Sequence, residues 1–155
     1  MEIRNAVAAD ADDIVRLLYQ VNQVHADLRP DLFKDGGNKY TKEQVLEILS
    51  KPDVRIYVAA DEERIVGYAI CMIEEVEDTA SRKGLRSFYL DDLCVDENSR
   101  GQHAGSLLFA HVKKEAKSLG AGQITLHVWN GNEAAESFYE SMGMKPMYTA
   151  MDLML

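Results

Sequence analysis

The stretch LDDLCVDENSRGQHAGSLL, Leu90 to Leu108, decides how this chain folds. It opens as an apolar, strand-like run that ends near Asp96. A polar turn with two glycines, Gly101 and Gly105, follows. The chain then enters a segment with Leu108, Phe109, Val112, Ala116 and Leu119 at helical spacing, which Gly120 ends. A strand that passes through such a turn into a helix leaves several N–H groups without partners and aims the positive end of the helix dipole at one point. Main-chain donors from Gly101 to Ser106 would converge on a phosphate or diphosphate, and Arg100 adds a permanent charge. The plain alternative is a tight connection with no ligand. Two familiar phosphate loops do not fit. A P-loop needs lysine before Ser106, where Gly105 stands. A dinucleotide fingerprint starting at Gly101 meets His103 and Ser106 where its other glycines belong.

On the N-terminal side, EIRNA (Glu2 to Ala6) reads as a first strand. Asp10 is placed to cap a helix with Ile14, Leu17, Leu18 and Val21 turned inward. Pro30 and Gly36-Gly37 turn HADLRPDLFKDGGN into a loop. Thr41 caps a short helix with Val45, Leu46 and Leu49 inward. VRIYVAAD and RIVGYAICMIEE form a hairpin across Asp61 to Glu63. On the C-terminal side, QITLHVW is a strand, and NEAAESFYESMG is a helix capped by Asn132 and stopped by Gly143. MKPMYTAMDLML is a last extended segment. Hairpin strands pair antiparallel, and the strand–helix–strand unit over 87–128 pairs parallel. The expectation is an α/β (α+β) fold with helices on both faces of a mixed, mostly antiparallel twisted sheet.

The 155 residues suit one domain, 1–155. The net charge of −9 lacks the basic face a nucleic-acid binder needs. The longest apolar run, Ile65 to Ile73, is too short to span a bilayer, and MEIRNAVAAD is no signal segment, so no membrane and a cytoplasmic location are expected. Cys71 and Cys94 read as buried thiols, with no metal-ligand spacing. The apolar run YTAMDLML offers a surface for a homodimer.

About thirty residues beyond the glycine turn stands NEAAESFYESMGM. Together the two motifs resemble the GNAT superfamily of acetyl-CoA-dependent N-acetyltransferases. The family loop, Arg/Gln-x-x-Gly-x-Gly/Ala, matches Arg100, Gly101, Gln102, His103, Ala104 and Gly105, with His103 in place of the middle glycine. The family motif Asn-x-x-Ala-x-x-Phe-Tyr matches Asn132, Ala135, Phe138 and Tyr139. The element order fits along nearly the whole chain.

The resemblance implies splayed central strands and acetyl-CoA as co-substrate, without a metal. Residues 100–106 would hold the diphosphate, while Leu93, Cys94, Val95 and Asn132 hold the pantetheine arm. Val95 N–H would donate to the thioester oxygen, and Tyr139 would be the general acid. His103 is compatible with main-chain binding unless its position requires a positive φ. Polyamine-type relatives imply Asp91 as the base that takes the amine proton, with Asp92 second. Adjacent strand residues face opposite sides; the plain alternative is a hydrogen-bonded structural aspartate. Asn132 also reads as a plain helix cap, and Phe138 and Tyr139 as core residues. His25, Arg29, Pro30 and Phe33 are candidates for recognising the acceptor, a small-molecule or peptide amine. His111 and His127 need no special role. A rival from another class is a non-catalytic acyl-CoA sensor on the same fold.

Overall fold

A computed structural model describes residues 1–155 except Glu63. Five strands lie in chain order: β1 (Glu2–Asn5), β2 (Val54–Asp61), β3 (Arg64–Val76), β4 (Leu85–Val95) and β5 (Gln123–Thr125). Every pairing is antiparallel except β4 with β5, which is parallel. Among the described residues four α-helices accompany them: α1 (Ala11–Leu28), α2 (Lys42–Leu49), α3 (Ala104–Ser118) and α4 (Glu133–Ser141).

Strand alternation divides the core between the two sheet faces. On one face Ile14, Leu17 and Leu18 of α1 and Val45 and Ile48 of α2 pack on Ile56, Val58, Tyr68, Ile70 and Cys94. On the other, Leu108, Phe109, Val112 and Ala116 of α3 pack on Tyr57, Ala59, Val66, Cys71, Phe88 and Leu90, with Phe138 and Tyr139 of α4 at the margin. The two thiols are therefore buried on opposite faces and both free.

Several local expectations need correction. Asp10 sits at the N-cap of α1, but its carboxylate turns back to accept from Val7 N (2.8 Å) and Arg4 (2.8 Å), so it staples β1 to the helix instead of capping it. Helix α1 runs on through His25 to Leu28, because nothing before Pro30 stops it. Thr41 does cap α2, accepting from Gln44 N. On that helix Ile48 is buried and Leu46 is 37% exposed, since α2 meets the sheet along Val45 and Ile48. Glu63 of the expected hairpin turn lies outside the described residues, but Asp61 pairs with Arg64 across it.

The expected last strand does not form: residues 144–155 carry no helix or strand. β5 likewise ends at Thr125 and does not reach Trp129. Alternating side chains suit a strand, but only a hydrogen-bonded neighbour makes one.

Candidate active site

The sheet opens along β4. Pairing to β5 covers only Ser87, Phe88 and Tyr89. From Leu90 to Val95 that edge of β4 has no strand beside it among the described residues. The strands splay there, leaving a slot lined by free main-chain donors and acceptors.

At the upper end of the slot lies the glycine turn. Arg100 is extended, Gly101 takes φ +81° and His103 takes φ +63°, ψ 11°, and α3 begins at Ala104. His103 is the only non-glycine residue at positive φ among the described residues. The substitution thus falls on a position that favours glycine, and the exposed imidazole is carried on a left-handed backbone. Histidine is among the residues that adopt this region more readily than most. The first helix-aligned bond is Leu107 N–H to His103 O at 3.0 Å. The N–H groups of Gly101 through Ser106 have no acceptor among the described residues, as an anion cradle requires. Gly105 lies against α4: a Cβ there would stand 3.4 Å from the Phe138 ring and 3.6 Å from Val95 Cγ2, ordinary contact distances.

An ion pair with a buried carboxylate fixes the turn. Asp96 is 1% exposed and accepts from Arg16 Nη1 (2.5 Å) and Asn98 N (3.0 Å). Burial opposes its charge, but the Asn98 N–H and the Arg16 guanidinium overcome that and hold the carboxyl below its usual range. Arg16 also donates to Ile65 O at 2.8 Å, which ties α1 to the hairpin and to the end of β4.

At the lower end of the slot β4 carries a bulge. Ile70 pairs with Asp92 and Cys71 with Leu90, so Asp91 has no partner across the ladder. The extra residue resets the alternation. Asp92 shares the α1/α2 face with Cys94, and Asp91 reaches that side too. This corrects the expectation that the two carboxylates face opposite ways. Asp91 Oδ2 accepts from Tyr40 Oη (3.0 Å) and forms an ion pair with Lys39 Nζ (3.0 Å), which donates to Asp91 O at 3.3 Å. Asp92 Oδ2 accepts from Tyr68 Oη at 3.2 Å. Burial pushes the Asp92 carboxyl up to about 6; Lys39 opposes the rise, Asp91 adds to it, and the Tyr68 hydrogen bond opposes it.

Tyr139 stands on the other face, its ring 6.0 Å from Phe109 and 5.1 Å from Phe138. Its hydroxyl has no hydrogen-bond partner among the described residues. Burial, followed by the negative charge of Asp92, pushes the phenol well above its ordinary value. Asn132 caps α4, accepting from Ala135 N at 3.3 Å.

Over the α1/α2 face, the chain after α1 forms an aromatic wall. Phe33 packs on His25 (5.1 Å) and edge-on against Trp129 (5.3 Å). Arg29 lies 5.9 Å over Trp129 and pairs with Asp31 (2.7 Å) and Asp152 (2.8 Å). His25 belongs to the last turn of α1 and not to the loop expected there. Lys39, Tyr40, Tyr68 and Trp129 escaped the sequence reading. Tyr68 had left a trace, a phenol inside the apolar run of β3 whose hydroxyl needs a partner. Among the described residues no group of His, Cys, Asp or Glu is arranged to hold a metal ion, and no helix is long and apolar enough to cross a membrane.

Residues 19–144 match the sequence profile of the Acetyltransferase (GNAT) family. Thialysine N-epsilon-acetyltransferase of Bos taurus is 29% identical over 158 residues, covering 96% of this chain and 86% of that protein. L-ornithine N5-acetyltransferase NATA1 of Arabidopsis thaliana is 38% identical over 58 residues, 37% of this chain and 25% of the relative. Among solved structures, a tetramutant of the BH1408 protein from Bacillus halodurans superposes with a TM-score of 0.95 at 29% identity, over 100% of both chains.

Proposed function

The chain belongs to the GNAT acetyltransferase family, and from that premise we propose that it moves an acetyl group from acetyl-CoA directly to a primary amine. The observation that carries this reading is the placement of Asp92 and Tyr139 on opposite faces of β4, beside its open edge. The slot from Leu90 to Val95 spans five residue steps, roughly 17 Å at a strand's rise. An extended amide-containing arm held at the glycine turn would add to this edge as a strand does, with main-chain contacts at Leu93, Cys94 and Val95. Its sulfur end would reach the bulge. Gly101 through Ser106, with Arg100 and Gln102, hold the diphosphate; Asn132, Ala135 and Phe138 border the arm.

Acetyl-CoA supplies an activated acyl group with a thiolate leaving group. An alkylamine is largely charged at neutral pH and must lose a proton before it attacks. Asp92 takes that proton, directly or through water, because its raised pKa brings it nearer the operating pH and no cation pairs with it directly among the described residues. Asp91, bound by Lys39 and Tyr40, shapes the negative field. This reverses the order suggested by the resemblance. Val95 N–H donates to the carbonyl oxygen as charge builds there. Tyr139 gives its proton to the departing sulfur as the C–N bond forms and the C–S bond breaks, and the second amine proton, lost from the new amide nitrogen, restores the phenol through solvent. The names of the bovine and plant relatives point to amines at the end of an amino-acid side chain.

The same chain would form a homodimer through its last residues, where Met151 is 92% exposed, Leu153 83% and Leu155 115%. Sedimentation should give a dimer mass that Met151→Asp with Leu153→Asp halves; a monomeric parent chain removes this point.

The test of activity is thiol release from acetyl-CoA with a panel of primary amines. Tyr139→Phe should lower kcat about 100-fold while coenzyme A affinity stays within about threefold. Tight coenzyme A binding with no turnover on any amine would leave the sensor reading in its place.

A further inference from the structure

Lys39 stands outside every motif, yet its ammonium sits against the Asp91 carboxylate, next to Asp92. Its Nζ lies 3.0 Å from Asp91 Oδ2 and 3.3 Å from Asp91 O, and 5.5 Å over the Tyr40 ring. Its charge reaches further. It opposes the rise at Asp92 and, after burial, helps push the His25 imidazole below its ordinary value. Lys39 is anchored by position as well, since Tyr40 is packed against the α1/α2 core and Thr41 caps α2. The side chain is 39% exposed, while Asp91 is only 11% exposed.

We propose that Lys39 is a tethered occupant of a cation seat on Asp91, and that it limits the acceptor to one positive charge at this end of the site. The inference rests on the acceptor site assigned above. Asp91 and Asp92 bring two negative charges to one side of the bulge, and Lys39 supplies one positive charge to Asp91. One further ammonium, the acceptor's own, balances the cluster beside Asp92. A second ammonium on the same acceptor finds Asp91 already bonded by Lys39 and Tyr40 and meets the Lys39 charge at close range. A second cation held beside the Lys39 charge with no carboxylate left to pair with it is disfavoured. Specificity then comes from a repulsive element supplied by the chain itself. A methylene stem ending in an ammonium is also what a linear diamine presents. Removing Lys39 should therefore open a seat of the right chemistry rather than a void.

The experiment measures binding and not turnover, so it separates this inference from the acetyltransferase reading. Calorimetry on the full chain with coenzyme A compares 1,4-diaminobutane with 1-aminobutane. The parent chain should bind the diamine no tighter than the monoamine. Lys39→Met should bind the diamine at least tenfold tighter than the parent, and Lys39→Arg should keep the parent preference. A lysine that merely supports the loop could not give a gain of diamine affinity when lost. Diamine affinity within twofold of the parent in Lys39→Met, or a parent chain that already prefers the diamine, overturns the proposal. In parallel, failure of any amine to release thiol would overturn only the assigned chemistry and leave the diamine comparison readable.

Discussion

The two ends of the β4 slot are built from different material. At the upper end the unpaired groups are main-chain N–H donors from Gly101 to Ser106, set by backbone angles and held by the Arg16–Asp96 pair. At the lower end they are side chains, the Asp91 and Asp92 carboxylates with Tyr40, Lys39 and Tyr68 around them, placed by a single extra residue in the strand. A main-chain cradle tolerates changes of side chain, because every residue but proline carries the same donor. A side-chain cluster does not, because each member fixes the charge and hydrogen bonding of the next. The upper end should therefore respond to backbone strain and the lower end to chemistry.

The largest expected effect is at Asp92. Asp92→Asn should lower kcat/KM by about 100- to 10,000-fold, while Asp91→Asn, already bonded twice, should cost about tenfold. For the parent chain, kcat/KM should fall as the pH drops through about 6, the region where Asp92 takes up its proton. Asp91, Lys39, Tyr40, Tyr68 and Tyr139 all face or perturb that group, so the limb reports the cluster and not an isolated acid. Equal losses for the two aspartate variants would break the contrast between them.

Stability should move the other way. Raising the Asp92 carboxyl from 3.8 to about 6 means that the charged form opposes folding by about 3 kcal/mol at neutral pH. The native state binds this proton more tightly than the unfolded chain does. Stability from this group therefore rises as the pH falls from above 6 toward 4. Asp92→Asn, which can still accept from Tyr68, should raise the Tm at pH 7.5, and the advantage should shrink at pH 5. Thermal melts at the two pH values check the sign. A Tm gain as large at pH 5 as at pH 7.5 would mean that desolvated charge is not the cause.

The difference in material also explains what the sequence made legible. The cradle, the helix entry at Ala104 and the cap at Asn132 follow from neighbours in the chain, so short motifs carry them. The division of the core between two helix pairs follows from periodicity, which is also local. The bulge at Asp91 exists only through pairing with β3, and strict alternation along β4 misplaces the carboxylate. The Tyr40–Asp91 contact joins residues 51 apart, with nothing in either segment to announce it. The missing last strand belongs with these. Residues 144–155 have the side chains of a strand, and Tyr148 lies beside His127, but no ladder of main-chain bonds forms there.

The smallest effects should come at His103, and they give the finest test of the upper end. The left-handed conformation costs an ordinary residue about 1–2 kcal/mol, which glycine avoids. Glycine also loses about 0.5–1 kcal/mol through greater freedom when unfolded. His103→Gly should therefore be neutral to about 1 kcal/mol more stable than the parent. His103→Val should be about 1–2 kcal/mol less stable, because a β-branched side chain fits φ +63° poorly. Coenzyme A affinity should follow the backbone: within about twofold for glycine and weakened severalfold for valine, as the turn shifts and its donors lose alignment. If affinity instead falls equally for both variants, the imidazole itself holds the anion, and the upper end belongs with the lower as a side-chain site.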